Sequence, residues 1–502
     1  GAIVRERRVF DVAIIGAGVT GSAIARRLSR YRLGVALLER CADVSFGVSK
    51  ANSGIIHAGF HHSPTSLKAR LEIEGNRAFD QLQAELGFPF RRAGIVVAAF
   101  TVEEMKVVDH LYEQGVANGA AGIEVVGRER LLALEPALSR DVVGGLFAPS
   151  GGIIEPYRFV FALAESAVTN GVVLRTGWEA SAARRRGDEW VIRSTTGEEI
   201  SARWVVNAAG LRADSVSALF HAESFRILPR KGEEFLLDKG SAGAPSRVIF
   251  PVPARTSKGV LVIPTVEGTI MIGPTADEGE DKEDTSTTPE NLERVFQLAA
   301  QMAPGISKRD IITSFAGLRP TLPGDDFYVD VSREAPGLVQ VAGIQSPGLT
   351  ASPAIAERVK DLLLSAGVRM EEKTSWQAGI PHVKRTRDHA AWELDRLVSA
   401  DPAYAHLVCR CEGVSEAEVV EAVRKGHTTL DGIKYYTRAG MGRCQGGFCT
   451  YRILQIVARE TGLPLERITK HGPGSELLLG RVPGTRVTLS GPSGAPPAEG
   501  RP

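Results

Sequence analysis

Four cysteines lie close together late in the chain: Cys409-Arg410-Cys411, then 32 residues, then Cys444-Gln-Gly-Gly-Phe-Cys449. Only Cys41 lies outside this set. Thiolates are soft ligands, and a C-x-C…C-x4-C quartet is a metal-binding pattern. Structural zinc ordinarily uses C-x2-4-C knuckles, so this spacing is unusual for zinc. The other chemistry is an iron–sulfur centre, whose negative charge is offset by backbone N–H groups and nearby cations. Gly440, Gly442, Gly446 and Gly447 allow close backbone approach, and Arg410, Arg438 and Arg443 supply charge. Cys449 opens a predicted helix, and a helix N-terminus favours anions. Two disulfides would need an oxidising compartment. Cys41, standing apart, reads as a small buried residue.

A second chemical signature stands near the start. The apolar run Val9–Ile15 is followed by Gly16-Ala-Gly18-Val-Thr-Gly21, then by helical spacing over Ser22–Ser29 and a second strand, Gly34–Glu39. A glycine loop between strand and helix, with an acidic residue ending the next strand, is the dinucleotide fingerprint. Gly16 allows the tight turn, Gly18 lets backbone approach a pyrophosphate, and Gly21 lets helix and strand pack closely. Glu39 would accept hydrogen bonds from ribose hydroxyls, with Arg40 beside it. The motif alone does not separate NAD from FAD.

Two further strands run into glycine junctions. Arg203–Asn207 leads to Ala208-Ala209-Gly210, and Gly337–Ala342 leads to Gly343-Ile-Gln-Ser-Pro-Gly348-Leu349-Thr350 and a helix over Pro353–Ser365. Three such junctions in one parallel sheet would collect a ligand at the strand carboxyl ends. Between them, period-2 alternation at Gly94–Ala99, Glu189–Ser194, Gly232–Leu237, Gly259–Ile263 and Gly268–Ile272 predicts an antiparallel sheet threaded through the first domain. The fold class is therefore α/β. A Rossmann-like nucleotide-binding domain (9–85, 150–215 and 310–367) is interleaved with a substrate domain (86–149 and 216–309). A linker (368–405), a small helical domain holding the quartet (406–470, helices Ser415–Lys425 and Thr450–Thr461) and a disordered tail (482–502) complete the expected organisation. The charged run Asp277–Asp284 reads as a solvated loop.

At 502 residues, 43% hydrophobic and 24% charged, the chain has the composition of a multidomain globular protein. A net charge of +1 gives no general attraction to nucleic acid. No apolar run approaches the roughly 18 residues that a spanning helix needs, so any membrane association would be peripheral, and a cytoplasmic location is expected.

Position and motif content also carry a resemblance. A glycine fingerprint at the extreme start with a second glycine junction near residue 345 resembles the two-part FAD grip of the glycine oxidase and D-amino-acid oxidase superfamily. Within it, Lys50-Ala-Asn52-Ser53-Gly-Ile-Ile-His57, Pro229-Arg-Lys-Gly-Glu233, Pro264-Thr-Val-Glu-Gly, Gly-Pro274-Thr-Ala and Gly-Leu-Arg319-Pro320 resemble the soluble, type III-like glycerol-3-phosphate dehydrogenases. L-2-hydroxyglutarate oxidases share much of this pattern. The quartet, with Arg-Ala-Gly-Met-Gly-Arg before Cys444, resembles the bacterioferritin-associated ferredoxin-like domain.

The resemblance implies FAD held by Gly16, Gly18, Gly21, Glu39, Arg40, Asn52, Ser53, Ala209, Gly210, Gly343, Gly348, Leu349 and Thr350. It implies a [2Fe–2S] cluster on Cys409, Cys411, Cys444 and Cys449. His57 is the candidate base; two more histidines, His61 and His62, follow it and read as surface or structural. Arg319 is the candidate clamp for an anionic substrate group and Lys258 a second cation, with Arg230 and Lys231 behind them. The expected activity is oxidation of sn-glycerol 3-phosphate to dihydroxyacetone phosphate, electrons passing on to a partner protein or quinone. The alternatives are L-2-hydroxyglutarate or another hydroxy or amino acid as substrate, and a redox-responsive binding module without turnover.

Overall fold

The computed structural model describes residues 9–254 and 258–480, and the chain divides into two compact units, Gly1–His382 and Val383–Pro502. The expected tail, 482–502, lies outside the described residues.

The buried strand Val9–Ile15 starts the first unit's eight-stranded sheet. It pairs in parallel with Val35–Leu38 on one side and with Glu199–Asn207 on the other. Glu199–Asn207 is long enough to serve two partners. Its first half pairs antiparallel with Glu189–Ser194, and its last residues pair in parallel with Leu338–Ala342. The register Ile15↔Asn207↔Gln340 brings the three strand-to-glycine junctions to one end of one sheet.

Helix Val19–Leu28 leaves the first junction and packs on helices Pro156–Thr169 and Gly348–Ser365. The last of these begins five residues earlier than its spacing predicts. Pro353 therefore lies inside it, and the Leu349 carbonyl left without a Pro353 N–H accepts from Ser352 Oγ at 2.9 Å.

The second sheet has nine strands and is mostly antiparallel, as alternation predicts, with one parallel pairing between Val248–Pro251 and Ile95–Ala99. Both faces are buried. Val96, Ala98, Ile249, Val262 and Ile272 pack with Val295, Ala299 and Met302 of helix Pro289–Met302. Ile95, Val97, Ala99, Phe250 and Ile263 pack with Phe60, Val108 and Leu111. Strand Ile311–Thr321 pairs along Leu228–Leu237 and so belongs to this second sheet.

Two polar segments are held more firmly than composition shows. Asp277–Asp284 has no buried residue, in keeping with a solvated loop, and is nevertheless tied down: Lys282 pairs with Asp214 at 2.6 Å and Lys231 with Asp284 at 2.8 Å. The stretch 368–405 is not a free linker. Lys373 N donates to Arg30 O and Trp376 Nε1 to Ser29 Oγ, while Ala391–Ala400 is a helix of the second unit. Backbone bonds and one tryptophan anchor the stretch, which composition alone does not reveal.

In the second unit Leu407–Cys409 pairs with Val414–Ser415, and helices Glu416–Arg424, Leu430–Thr437 and Thr450–Thr461 share a core of Val419, Ala422, Ile433, Leu454 and Val457. Ser415 and Glu418 cap the first helix reciprocally.

A Cβ on Gly21 would lie 1.8 Å from Gly16 O, which is backbone and cannot give way. Gly21→Ala is therefore expected to destabilise the first unit by about 3 kcal/mol or more and to purify with little flavin. Thermal unfolding and the flavin-to-protein absorbance ratio check this.

Candidate active site and cysteine centre

The aligned junctions open onto a cavity of about 510 Å³. Gly16, Gly18, Glu39, Arg40, Asn52, Ser53, Ala209, Gly210, Gly348 and Leu349 line it, together with His57 and Arg319. Gly21 lies behind the loop as a packing residue. Gly343, at φ +68°, makes the turn against Leu322. Thr350 is fully buried behind His57, where its Oγ1 accepts the His57 N–H at 2.9 Å. Lys258 does not line the cavity wall but reaches it through Ser346, 3.2 Å from its Nζ.

The glycine loop fits a dinucleotide. Gly16 has φ +106°, and a Cβ there would stand 2.3 Å from Ala208 O. A Cβ on Gly18 would approach Ser49 Oγ to 3.0 Å. The helix that follows has no acidic residue in its first turn, which leaves its positive end uncompensated. The Glu39 carboxylate accepts from Ala17 N at 2.8 Å and Cys41 N at 2.9 Å, which fixes its orientation at the cavity edge. Burial nevertheless raises its pKa. Cys41 is half-buried and lines the cavity, contrary to its reading as a plain core residue, and burial lifts its thiol to about 12. Asn52 spends its side chain on its own loop, donating to Ser49 O at 2.8 Å and accepting from Gly54 N at 3.0 Å.

His57 is held on three sides. Thr350 takes its N–H, Asn76 Nδ2 donates to its carbonyl at 2.7 Å, and Nε2 lies 3.3 Å from Ser346 Oγ. Nδ1 is buried with no partner among the described residues. Burial, and then the charge on Lys258, push the His57 pKa well below its usual value, so the ring is neutral. Burial lowers Lys258 to about 8 against the opposing pull of Glu72, and raises Glu72 to about 7.

Arg319 directs both terminal nitrogens at Thr275 O, 3.2 and 3.3 Å away, and burial lowers its pKa while Glu234 counters. Burial raises Glu234 to about 7, and Ser53 Oγ donates to it. The remaining candidates flank the site with partners of their own: Arg230 stands across from Arg319 in the strand pairing, and the His61 ring lies 6.3 Å from that of His57. Arg230 pairs with Glu278 at 3.4 Å and Lys231 with Asp284. The His61 ring packs on Phe60 and Phe250.

Glu234, Ser346, Ser49 and Glu72 were missed in the sequence. Glu233 and Glu234 carried a signal: two adjacent carboxylates in a strand ending Phe-Leu-Leu cannot both reach water if the strand is central. Both are buried, and Glu233 caps the helix at Thr288 and Asn291.

In the second unit, Cys411 Sγ and Cys444 Sγ stand 3.7 Å apart, and the Cys449 thiol hydrogen-bonds to Cys409. A tetrahedral metal bound to sulfur at about 2.3 Å sets two ligands about 3.8 Å apart, so the Cys411–Cys444 pair fits one metal, and the adjoining Cys409–Cys449 pair offers two thiols for a second. Among the described residues no three His, Cys, Asp or Glu side chains converge on a single ion.

Backbone N–H groups of Gly440 and Glu412 face Cys409, and those of Phe448, Gly446 and Gly447 face Cys444. A Cβ on Gly442 would lie 2.2 Å from Cys411 Cβ. Arg438 differs from expectation. With Arg387 it grips the buried Glu412, at 2.9 and 3.0 Å, and so braces the loop beneath the thiols.

Residues 11–362 match the family described as FAD dependent oxidoreductase, and residues 407–459 match the BFD-like [2Fe-2S] binding domain. The chain belongs to the FAD-dependent oxidoreductase family. Its cofactors are FAD and a [2Fe–2S] cluster. It is 41% identical over 474 residues to the glycerol 3-phosphate dehydrogenase of Caloramator mitchellensis, spanning 94% of this chain and 98% of that one. It is 27% identical over 412 residues to the mitochondrial L-2-hydroxyglutarate dehydrogenase of Arabidopsis thaliana, spanning 72% of this chain and 84% of that one. Among solved structures, the dithionite-reduced L-alpha-glycerophosphate oxidase of Mycoplasma pneumoniae with FAD bound superposes with a TM-score of 0.71 at 30% identity, covering 75% of this chain and all of that one. No helix among the described residues is long and apolar enough to cross a membrane.

Two outcomes follow. If Lys258 serves as a cation toward the cavity, kcat/KM is expected to fall as pH rises through about 8, and Lys258→Met to remove that alkaline limb while lowering kcat/KM at neutral pH; a pH–rate profile checks this. The two thiol pairs predict two irons and two inorganic sulfides per chain, lost together in Cys449→Ser; iron and sulfide assays on freshly purified protein test it.

Proposed function

We propose that the protein oxidises sn-glycerol 3-phosphate to dihydroxyacetone phosphate and passes the electrons on, one at a time, to an acceptor protein or quinone. The observation that carries this reading is the joining of a neutral, buried His57, its Nδ1 unpartnered, with two cations, Lys258 and Arg319, at one cavity. A secondary alcohol bearing a phosphate dianion needs such a set: a base for the hydroxyl proton and more than one positive charge for the far end.

His57 takes the hydroxyl proton. Thr350 and Asn76 fix the His57 backbone, and Ser346 Oγ holds ring Nε2, which leaves Nδ1 to accept the proton. Arg319 and Lys258 hold the phosphate and so set which carbon is presented. FAD, when bound, supplies the hydride acceptor, and the [2Fe–2S] cluster supplies one-electron transfer. Similarity to the Caloramator dehydrogenase along nearly the whole chain supports this substrate. The glycerophosphate oxidase matches only three quarters of the chain, about the share occupied by the first unit. That difference favours an acceptor other than oxygen.

Anaerobic titration of the purified holoprotein is the test. Glycerol 3-phosphate is expected to bleach the flavin band at near-stoichiometric addition, and Arg319→Ala to raise the concentration required about thirty-fold, the equivalent of about 2 kcal/mol for a charged hydrogen bond. Bleaching by L-2-hydroxyglutarate and not by glycerol 3-phosphate would reject the reading.

A further inference from the structure

The four thiols differ in exposure: Cys409 and Cys449 are buried, Cys444 is intermediate and Cys411 is exposed. The centre therefore meets solvent on the Cys411 and Cys444 side. Three large apolar side chains beside the ligands are also exposed: Phe448 at 84%, Tyr451 at 57% and Leu407 at 43%. Phe448 immediately precedes Cys449, and Arg452 Nη1 donates to Leu407 O at 3.1 Å, which ties the two ligand arms into one rim.

Within the two ligand arms, 407–411 and 438–452, every charged side chain is an arginine. Residues 438–452 carry three arginines and no carboxylate, and Arg410 stands between the first two cysteines. Arg410, Arg443 and Arg452 are exposed. Arg438 is buried on Glu412, so the carboxylate nearest the ligands is neutralised from within.

We propose that this rim docks a small acidic electron-carrier protein over Cys411 and Cys444. The proposal rests on the reading that electrons leave through the cysteine centre, and adds the surface and the chemical kind of the acceptor. An aromatic anchor ringed by arginines suits a small, transient redox interface of less than about 1,200 Å². Oriented positive charge steers a negative partner to it. Amphipathic membrane anchoring would present a longer apolar face with a lysine-rich border.

The test uses the full holoprotein and three oxidised probes: a negatively charged plant-type [2Fe–2S] ferredoxin, a positively charged cytochrome c and vesicles of anionic phospholipid. Binding is followed by calorimetry and co-sedimentation, with the cluster's visible spectrum recorded for each variant. The ferredoxin is expected to bind and the cytochrome not, with affinity weakening about tenfold or more as ionic strength rises from roughly 0.03 to 0.3 M. Phe448→Ala and Tyr451→Ala should each weaken ferredoxin binding about tenfold with flavin bleaching and the cluster spectrum unchanged. Equal binding of the cytochrome, salt-insensitive binding, no binding of the ferredoxin, or wild-type affinity in both variants would overturn the proposal. Phe448-dependent capture by the vesicles, or by a second copy of the chain, would do the same. A protein that binds ferredoxin this way but is not bleached by glycerol 3-phosphate would leave the docking surface standing and remove only the substrate assignment.

Discussion

Everything chemical in the first unit depends on the parallel pairing at Ile15, Asn207 and Gln340. Three segments far apart in sequence end their strands at the same edge of one sheet, and each turns on a glycine at positive φ, Gly16, Gly210 and Gly343, with a collision awaiting a side chain at Gly16 and Gly343. Backbone pairing sets this, and it is insensitive to the identity of most side chains in the strands. The cavity, the positive end of helix Val19–Leu28 and the Glu39 carboxylate follow from it. The second sheet supplies the opposite wall: Arg319 and Glu234 come from adjacent strands, and Phe250 closes the apolar face behind His57.

Within that frame, burial rather than pairing decides the charge states. It depresses Lys258 and His57 and raises Glu72 and Glu234, even where an opposite charge acts against it. The result near neutral pH is a site whose base is unprotonated and whose lysine is still cationic. Two groups of the same charge type end on opposite sides of their protonation equilibria because one begins near 6.5 and the other near 10.5. Burial thus raises Glu72 and Glu234 to about 7, against the charges of Lys258 and Arg319 respectively.

Much of this was legible in the sequence, for identifiable reasons. The glycine fingerprint and the cysteine quartet are local patterns, and local patterns survive without knowledge of the fold. Four of the five period-2 runs fall in the second sheet, while Glu189–Ser194 pairs with Glu199–Asn207 in the first; alternation carries neither the direction of pairing nor the choice of sheet. The arrangement around His57 was only partly readable. Ser346, Thr350 and Asn76 reach it from distant segments, and nothing in a serine's sequence neighbours tells that its hydroxyl will sit between an imidazole and an ammonium. Thr350 was assigned to the cofactor and instead holds the His57 backbone. The stretch 368–405 looked like a linker because its anchoring uses main-chain bonds and a single tryptophan, which leave no periodicity.

In the proposed function the flavin site of one unit and the thiolate centre of the other serve one reaction. The most direct measurement is electron paramagnetic resonance of the holoprotein, frozen at intervals after anaerobic mixing with glycerol 3-phosphate. The account predicts that the signal of a reduced [2Fe–2S] cluster grows as the flavin absorbance falls, and that both changes are absent when glycerol replaces the phosphate ester. Flavin bleaching with a cluster that stays oxidised would contradict it.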